Sequence, residues 1–209
     1  MVSALCTLEE ARLALRLQAT DTRDDSRIQQ AIDIVSAAMH RHLAREYVLN
    51  EAGTSVTEYH DGEGRSEIEL EEWPIQSVAS VHDSPDRSYG AGDLLTANTD
   101  YLVESTQHGA RIRLLPQGEA FSVLRGTETS TFFAGVANVR VVYVPGYATR
   151  AALPRDLVGV CITETVALLA KQPNAGLTRL QAGDLSQDFD GEAWRPESLR
   201  TLARYRRLL

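Results

Sequence analysis

Lysine is almost missing from this chain: Lys171 is the single one among 209 residues, and arginine carries the remaining positive charge. The skew fits a GC-rich genome, and arginine also serves protein interfaces better than lysine does. Cysteine is scarce as well. Cys6 and Cys161 stand far apart in sequence, one near the start and one on an apolar helical pattern, which argues against a disulfide framework and suits a reducing compartment. Nowhere do about eighteen apolar residues run together, so no membrane-spanning helix is expected. Residues 1–10 lack a basic segment followed by an apolar one, so no secretory signal is expected either. Net positive charge is also absent. A formal charge of -8 argues against a general nucleic-acid or membrane-surface binder, both of which need a basic face.

What is present is enough for one good-sized domain or two small ones, with 43% hydrophobic residues to build a core. Thr7-Leu-Glu-Glu10 is a capping box, in which the Thr7 hydroxyl accepts an amide and Glu10 reaches back to the Thr7 amide. A short helix should run on to Leu17, with Leu8, Ala11 and Leu15 on its apolar side. A second helix is predicted over 25–47, opened by a further capping box at Ser26-Arg-Ile-Gln29. Its stripe is Ile28, Ile32, Val35, Met39, Leu43 and Tyr47, spaced by three or four residues.

From Thr54 to Tyr147 the period becomes alternating. Glu67-Ile-Glu-Leu-Glu71 puts Ile68 and Leu70 on one face and three carboxylates on the other. Residues 61–64 read as a hairpin turn joining that strand to a partner over 56–59. Further strands are expected over 74–81, 101–104, 110–115 and 138–144, each with β-branched or aromatic enrichment between turn residues. Helical spacing returns at Leu153-Pro154, where proline suits the first helical position. Leu157, Val158, Cys161, Ile162, Leu168 and Leu169 form its apolar face, and Gln172-Pro173 ends it. A last helix should start at Pro196 with Leu199, Leu202, Tyr205 and Leu209 along one side.

Short helices are marginal alone in water, so the terminal pairs should pack together. The predicted class is α+β: a small helical bundle from the N- and C-terminal helices, with an inserted antiparallel β-sandwich or barrel-like section. Residues 1–52 and 148–209 would form the discontinuous bundle and 53–147 the β insertion. Pro154 and Leu157 should then pack near Ile32 and Val35.

Candidate chemistry is thin. His40 and His42 are two apart on a helix and face different ways. His60, His82 and His108 fall near predicted turns without ligands at metal-like spacing. The acidic group Glu58, Asp61, Glu63, Glu67, Glu69, Glu71 and Glu72 could in principle hold paired hydrolase carboxylates. Strict alternation instead places Glu67, Glu69 and Glu71 on a solvated strand face. Residues 186–197 approach a calcium-loop pattern that fails at Ser186, where an aspartate is needed. There is no nucleophile elbow. No catalytic residue, metal or cofactor is therefore assigned. The basic end, Arg200, Arg204, Arg206 and Arg207, could touch phosphate, complement its helix dipole or dock on an acidic partner.

Five residue groups in order carry a wider likeness: Thr7-Leu-Glu-Glu-Ala11 with the helix over 25–47; Trp73-Pro-Ile-Gln-Ser-Val78; Val139-Arg-Val-Val-Tyr-Val-Pro-Gly-Tyr147; Leu153-Pro154; and Gly183-Asp-Leu-Ser186 with Leu202-Ala-Arg-Tyr-Arg-Arg207. In this combination the chain resembles the head-to-tail connector, or adaptor, proteins of long-tailed bacteriophages, prophages and gene-transfer particles. The resemblance implies a non-enzymatic virion part, made in the host cytoplasm and assembled as a ring of about a dozen copies under the portal. It implies a portal protein on one side, a tail-side stopper or tail-completion protein on the other, and genomic DNA passing through without specific binding. Residues 174–209 would dock on the portal, with Trp194, Arg200, Tyr205, Arg206 and Arg207 as contacts, and would be poorly ordered before that. Glu67, Glu69 and Glu71 would line the DNA channel and repel phosphate. Two departures from shorter members of the family are a larger β section and the polar stretch 122–131. The alternative is a ligand- or carbohydrate-binding β module with helical flanks, which would carry an aromatic-lined pocket.

Overall fold

The computed structural model describes residues 3–18, 20, 22–116, 130–170 and 194–207. They divide into two compact units, one over Asn50–Ala148 and one made of the stretches before and after it. The class is α+β, with four helices and two antiparallel sheets among the described residues.

In the helical unit, α1 (Leu8–Ala14), α2 (Asp25–Leu43), α3 (Arg155–Ala170) and α4 (Pro196–Ala203) pack on one another, so helices from both chain ends share one core. α1 starts at the predicted capping box: the Glu10 amide donates to Thr7 Oγ1 at 3.0 Å and the Thr7 amide to Glu10 Oε2 at 2.7 Å. It ends at Ala14, short of Leu17. The second capping box does not form, because α2 is entered from Asp24 and Ser26 lies inside the first turn. α2 also stops at Leu43 and not at Tyr47. Ala44 turns into the left-handed region (φ 53) and the Arg45 amide folds back to the His40 carbonyl. The Leu43 carbonyl is taken by the amide of Arg207, 3.0 Å away and near the other end of the chain. Within α2, Ile28, Ile32, Val35, Met39 and Leu43 are all buried, as the spacing predicts. α3 packs on α2, with Ser36 Oγ 3.6 Å from Cys161 Sγ. Its buried side is Leu157, Val160, Cys161, Glu164, Thr165 and Leu168. Val160, Glu164 and Thr165 are thus buried where the sequence suggests Val158, Ile162 and Leu169, which are half-buried. Among the described residues no helix is long and apolar enough to cross a membrane.

The β unit has β1 (Val56–His60), β2 (Glu67–Leu70), β3 (Ile75–Asp83), β4 (Leu94–Leu95), β5 (Tyr101–Thr106), β6 (Gly109–Leu114) and β7 (Val139–Pro145). One sheet runs β1-β7-β3-β4 and the other β2-β6-β5, and neither closes into a barrel. Ile68, Leu70, Ile112 and Leu114 from the second sheet share a buried cluster with Val81, Val139, Val141 and Tyr143 from the first. Burying each such side chain contributes about 1.5–3 kcal/mol.

The predicted hairpin between 56–59 and 67–71 does not exist. β1 pairs with β7, β2 pairs with β6, and residues 61–66 carry the chain from one sheet to the other. Gly62 makes the crossing possible. Its amide donates to the Gly135 carbonyl and to Asn138 Oδ1, and a Cβ there would lie 1.8 Å from the Phe133 carbonyl oxygen. Short-range turn chemistry suggests a hairpin here, but strands close in sequence need not pair when the hydrophobic faces fit two sheets.

Candidate functional site

On β2, alternation turns Ile68 and Leu70 inward and leaves Glu67 and Glu69 exposed. Antiparallel pairing sets Glu67 opposite Arg113 and Glu69 opposite Arg111, while β5 sets Glu104 opposite Arg111 from the other side. Arg111 reaches Glu67 at 3.3 Å and Glu104 at 2.6 Å, and Arg113 reaches Glu104 at 2.6 Å. Hydrogen bonding from Arg111 holds the Glu104 carboxyl below its ordinary pKa. The outer face of this sheet is therefore a ladder of alternating sign, and not the run of carboxylates suggested by β2 alone. Among the described residues, Glu69 makes no ion pair on it. Glu71 lies past the strand end, exposed, with its amide donating to Glu58 Oε2 at 3.1 Å. Beside β2 is an open hollow of about 220 Å³ lined by Asp61, Glu63, Arg65, Glu67 and Glu69 with Gly62 and Ile68.

The tentative docking residues divide by exposure. Trp194 (5% exposed) and Tyr205 (4%) belong to the core of the helical unit, where Trp194 lies 6.1 Å from His42 and the Tyr205 hydroxyl donates to Asp156 at 2.9 Å. Arg200 and Arg206 are exposed, and Arg207 is half-buried. Burial, and then the charge of Arg206, push the His42 pKa down. α4 is held in place: Ser198 donates its hydroxyl to the buried Glu164, and Leu202 is fully buried. Residues 194–207 are thus folded onto the unit, contrary to the expectation of a tail ordered only by a partner. The motif at 183–186 and the calcium-loop positions 186–193 lie outside the described residues.

The alternation of Val56-Thr-Glu-Tyr-His60 turns Glu58 and His60 toward the sandwich interior, a pairing that their spacing of two on a strand could have revealed. Glu58 accepts from the Tyr143 hydroxyl, from His60 Nε2 at 2.9 Å and from the Glu71 amide, while Tyr143 accepts the Glu72 amide at 3.1 Å. Burial alone would raise the Glu58 pKa. The donors from His60, Tyr143 and Glu71 together outweigh it, and the pKa is lowered. A lowered carboxylate pKa adds stability above the unfolded value, and that increment is lost as pH falls through the folded one. Glu58→Gln should therefore flatten the acid side of the stability profile below about pH 4.5. Tyr143→Phe, which strands both a carboxylate oxygen and an amide, should cost about 1–3 kcal/mol in urea unfolding at neutral pH. An unchanged acid limb in Glu58→Gln would refute the assignment.

His60 and His82 lie within strands and not at turns. His82 (7% exposed) and His40 (5%) are buried, the latter with Nδ1 3.1 Å from the Arg45 carbonyl. Among the described residues no three His, Cys, Asp or Glu side chains stand together in a way that could hold a metal. Cys6 and Cys161 are buried free thiols with sulfurs 3.2 Å apart, and the Cys161 contact together with burial pushes the Cys6 pKa far up.

One group has no counterpart in the sequence reading. Tyr59, Arg140, His82 and Leu94 stand opposite one another across all four strands of the first sheet. Tyr89, from the loop after β3, covers the row: Arg140 Cζ is 4.7 Å from its ring centre, and its ring meets Tyr59 edge-on at 5.6 Å. Tyr89 sits in the left-handed region (φ 48) and donates its hydroxyl to the Ala137 carbonyl. The outward placement of Arg140 follows from the alternation of β7, but its neighbours come from three other segments.

No protein-family model and no curated protein sequence matches the chain. Solved structures do match its fold. A chain in the neck of an empty gene transfer agent (GTA) particle, computed with C6 symmetry, aligns over 100% of this chain and 93% of its own length, at TM-score 0.55 and 16% identity. A chain in the virion of a native GTA particle aligns over the same shares at TM-score 0.56 and 14% identity. A third, in the neck of a native GTA particle computed with C12 symmetry, has TM-score 0.50 and 12% identity, over 100% and 96%. At these identities the likeness is one of fold, and it takes in the helical and the β unit alike.

Proposed function

We propose that the chain is a structural, non-enzymatic component of the head-to-tail neck of a phage-like particle, acting as a connector that forms a ring beneath the portal. The observation that carries this reading is the whole-length likeness to chains of GTA necks and virions, which includes the β unit between its two helical flanks. Independent support comes from the ordered sequence groups, several of which fall at the joints of the fold: the α1 cap, the entry to β3, and β7 with the lead into α3. The cyclic symmetries of the similar necks suit a ring of about a dozen copies built from heterologous contacts that close. The partners in this reading are the portal protein, a tail-side stopper or completion protein and further copies of the chain. Its place is the virion, after assembly in the host cytoplasm.

Portal docking falls to the C-terminal part through Arg200 and Arg206, the exposed members of the residue set; Trp194 and Tyr205 contribute by fixing the helix that presents them. Arg200→Glu/Arg206→Glu, a surface change that spares the core, should weaken binding to the cognate portal protein at least tenfold, with the thermal midpoint unchanged. Electron microscopy of the mixture should show a ring on the portal; failure of the wild-type chain to bind the portal would refute the connector role. A channel lining by Glu67, Glu69 and Glu71 receives less support, since Arg111 and Arg113 interleave with the carboxylates. The alternative of a carbohydrate-binding module expects a pocket lined by aromatic rings, whereas the hollow beside β2 is lined by carboxylates.

A further inference from the structure

Among the described residues of the β unit, Arg140 and Glu69 carry opposite charges and make no ion pair. Arg140 is bounded by rings. One Nη lies 3.3–3.4 Å from the His82 ring nitrogens, Tyr89 covers the guanidinium carbon, and the buried Nε has no hydrogen-bond partner. No carboxylate pairs with it among the described residues. The flanking row on its sheet face, Thr57, Val142 and Ser80, is uncharged, and burial with the nearby Arg140 charge outweighs the opposing charge of Asp93 and keeps His82 toward its neutral form. Around it are apolar side chains turned to solvent, with Tyr59 56% and Leu94 49% exposed, and Val136 72% exposed in the loop that Tyr89 grips. Buried, well-packed Tyr and Arg side chains ringed by exposed apolar contacts are the usual make-up of an interface hot spot.

The complement is on the same unit. The hollow beside β2 has four carboxylates, Asp61, Glu63, Glu67 and Glu69, against the one guanidinium of Arg65. Among the described residues, Asp61 is engaged by the Ala137 amide, Glu67 by Arg111 and Glu63 by the exposed Arg65, whereas Glu69, opposite Arg111 in the register, makes no ion pair. A guanidinium without a carboxylate and a carboxylate-lined hollow satisfy each other when two chains meet, because arginine pairs carboxylates through two parallel hydrogen bonds.

We infer that the Tyr59-Tyr89-Arg140 face is a self-association surface whose occupant is the acidic hollow of a second copy of this chain, with Glu63 and Glu69 presented to Arg140. Two different surfaces of one unit are joined, so the contact can repeat from copy to copy. The inference rests on the ring in the neck reading for its occupant, and the two fail separately: a connector whose copies meet elsewhere would fail the test below and still bind a portal.

The test is sedimentation of the full chain over a concentration series. The wild type self-associates at concentrations below about 1 mM. Arg140→Glu weakens this at least tenfold, Tyr59→Ser weakens it without altering charge, and Glu63→Arg/Glu69→Arg weakens it from the other side. An equimolar mixture of Arg140→Glu with Glu63→Arg/Glu69→Arg restores association, because each reversed face then meets a complementary one. Thermal unfolding checks that each variant folds, and Tyr59→Ser carries the test if a charge reversal does not. A wild-type chain monomeric throughout, an Arg140→Glu chain that associates like the wild type, or a mixture without restoration overturns the proposal. So does an Arg140-dependent affinity for single-stranded oligonucleotide without self-association, which would assign the site to phosphate.

Discussion

Gly62→Ala should lower the thermal midpoint of the β unit by more than about 12 °C, the shift expected for a loss near 3 kcal/mol in a unit of roughly a hundred residues. The reason is steric. A methyl group at residue 62 would lie 1.8 Å from the Phe133 carbonyl oxygen and 2.8 Å from Asn138 Nδ2, and neither can move alone. Phe133 is held by its amide to Asp83 and by its carbonyl to the Asn138 side chain, next to the fully buried Phe132. Relief therefore means shifting the backbone where the chain passes from one sheet to the other, a cost in the upper range for point substitutions. Gly53→Ala is the control: its Cβ meets open space, and it should lose about 1 kcal/mol for its left-handed backbone (φ +64). Trp73 belongs to the β unit and Trp194 to the helical one, so fluorescence can follow both. A Gly62→Ala midpoint within about 4 °C of wild type would show that the crossing is not tightly packed.

Leu202→Ala should cost about 2–5 kcal/mol, because a fully buried side chain in the last turn of α4 is replaced by a cavity. Removing residues after 173 should go further and abolish cooperative unfolding of the helical unit. That deletion takes away Trp194, Leu202 and Tyr205 from the core. It also leaves the buried Glu164 without Ser198 and the Arg195 amide, Asp156 without the Tyr205 hydroxyl, and the Leu43 carbonyl without Arg207. An uncompensated buried carboxylate alone is among the costliest defects a core can hold. A tail ordered only by a partner would leave the deleted monomer folded, whereas these contacts predict that it unfolds. Near-ultraviolet circular dichroism of the deleted chain decides it; native-like signal with a sharp transition would show that α4 is dispensable.

Where local physics sets the outcome, the sequence was readable. The Thr7–Glu10 box closes within three residues, the stripe from Ile28 to Leu43 follows the helical period, and the alternation of β2 fixes which residues face inward. The α+β class follows from those periods in order. Strand partnership was not readable, since β1 with β7 and β2 with β6 join segments 40 or more residues apart, and the glycines at 62 and 64 mimic a hairpin turn. The end of α2 was equally hidden, because the group that takes its last carbonyl comes from Arg207.

The candidate site divides along the same line. That Glu67 and Glu69 face outward was determined by the sequence alone, because a strand has a period of two whatever it pairs with. That Arg111 and Arg113 interleave with them, that Trp194 and Tyr205 are core residues, and that Arg140 is set among Tyr59, Tyr89 and His82 were decided only by tertiary structure. Charge and burial depend on what lies across a sheet or a helix pair. Those neighbours are chosen by the packing of whole faces, over separations that no local pattern spans.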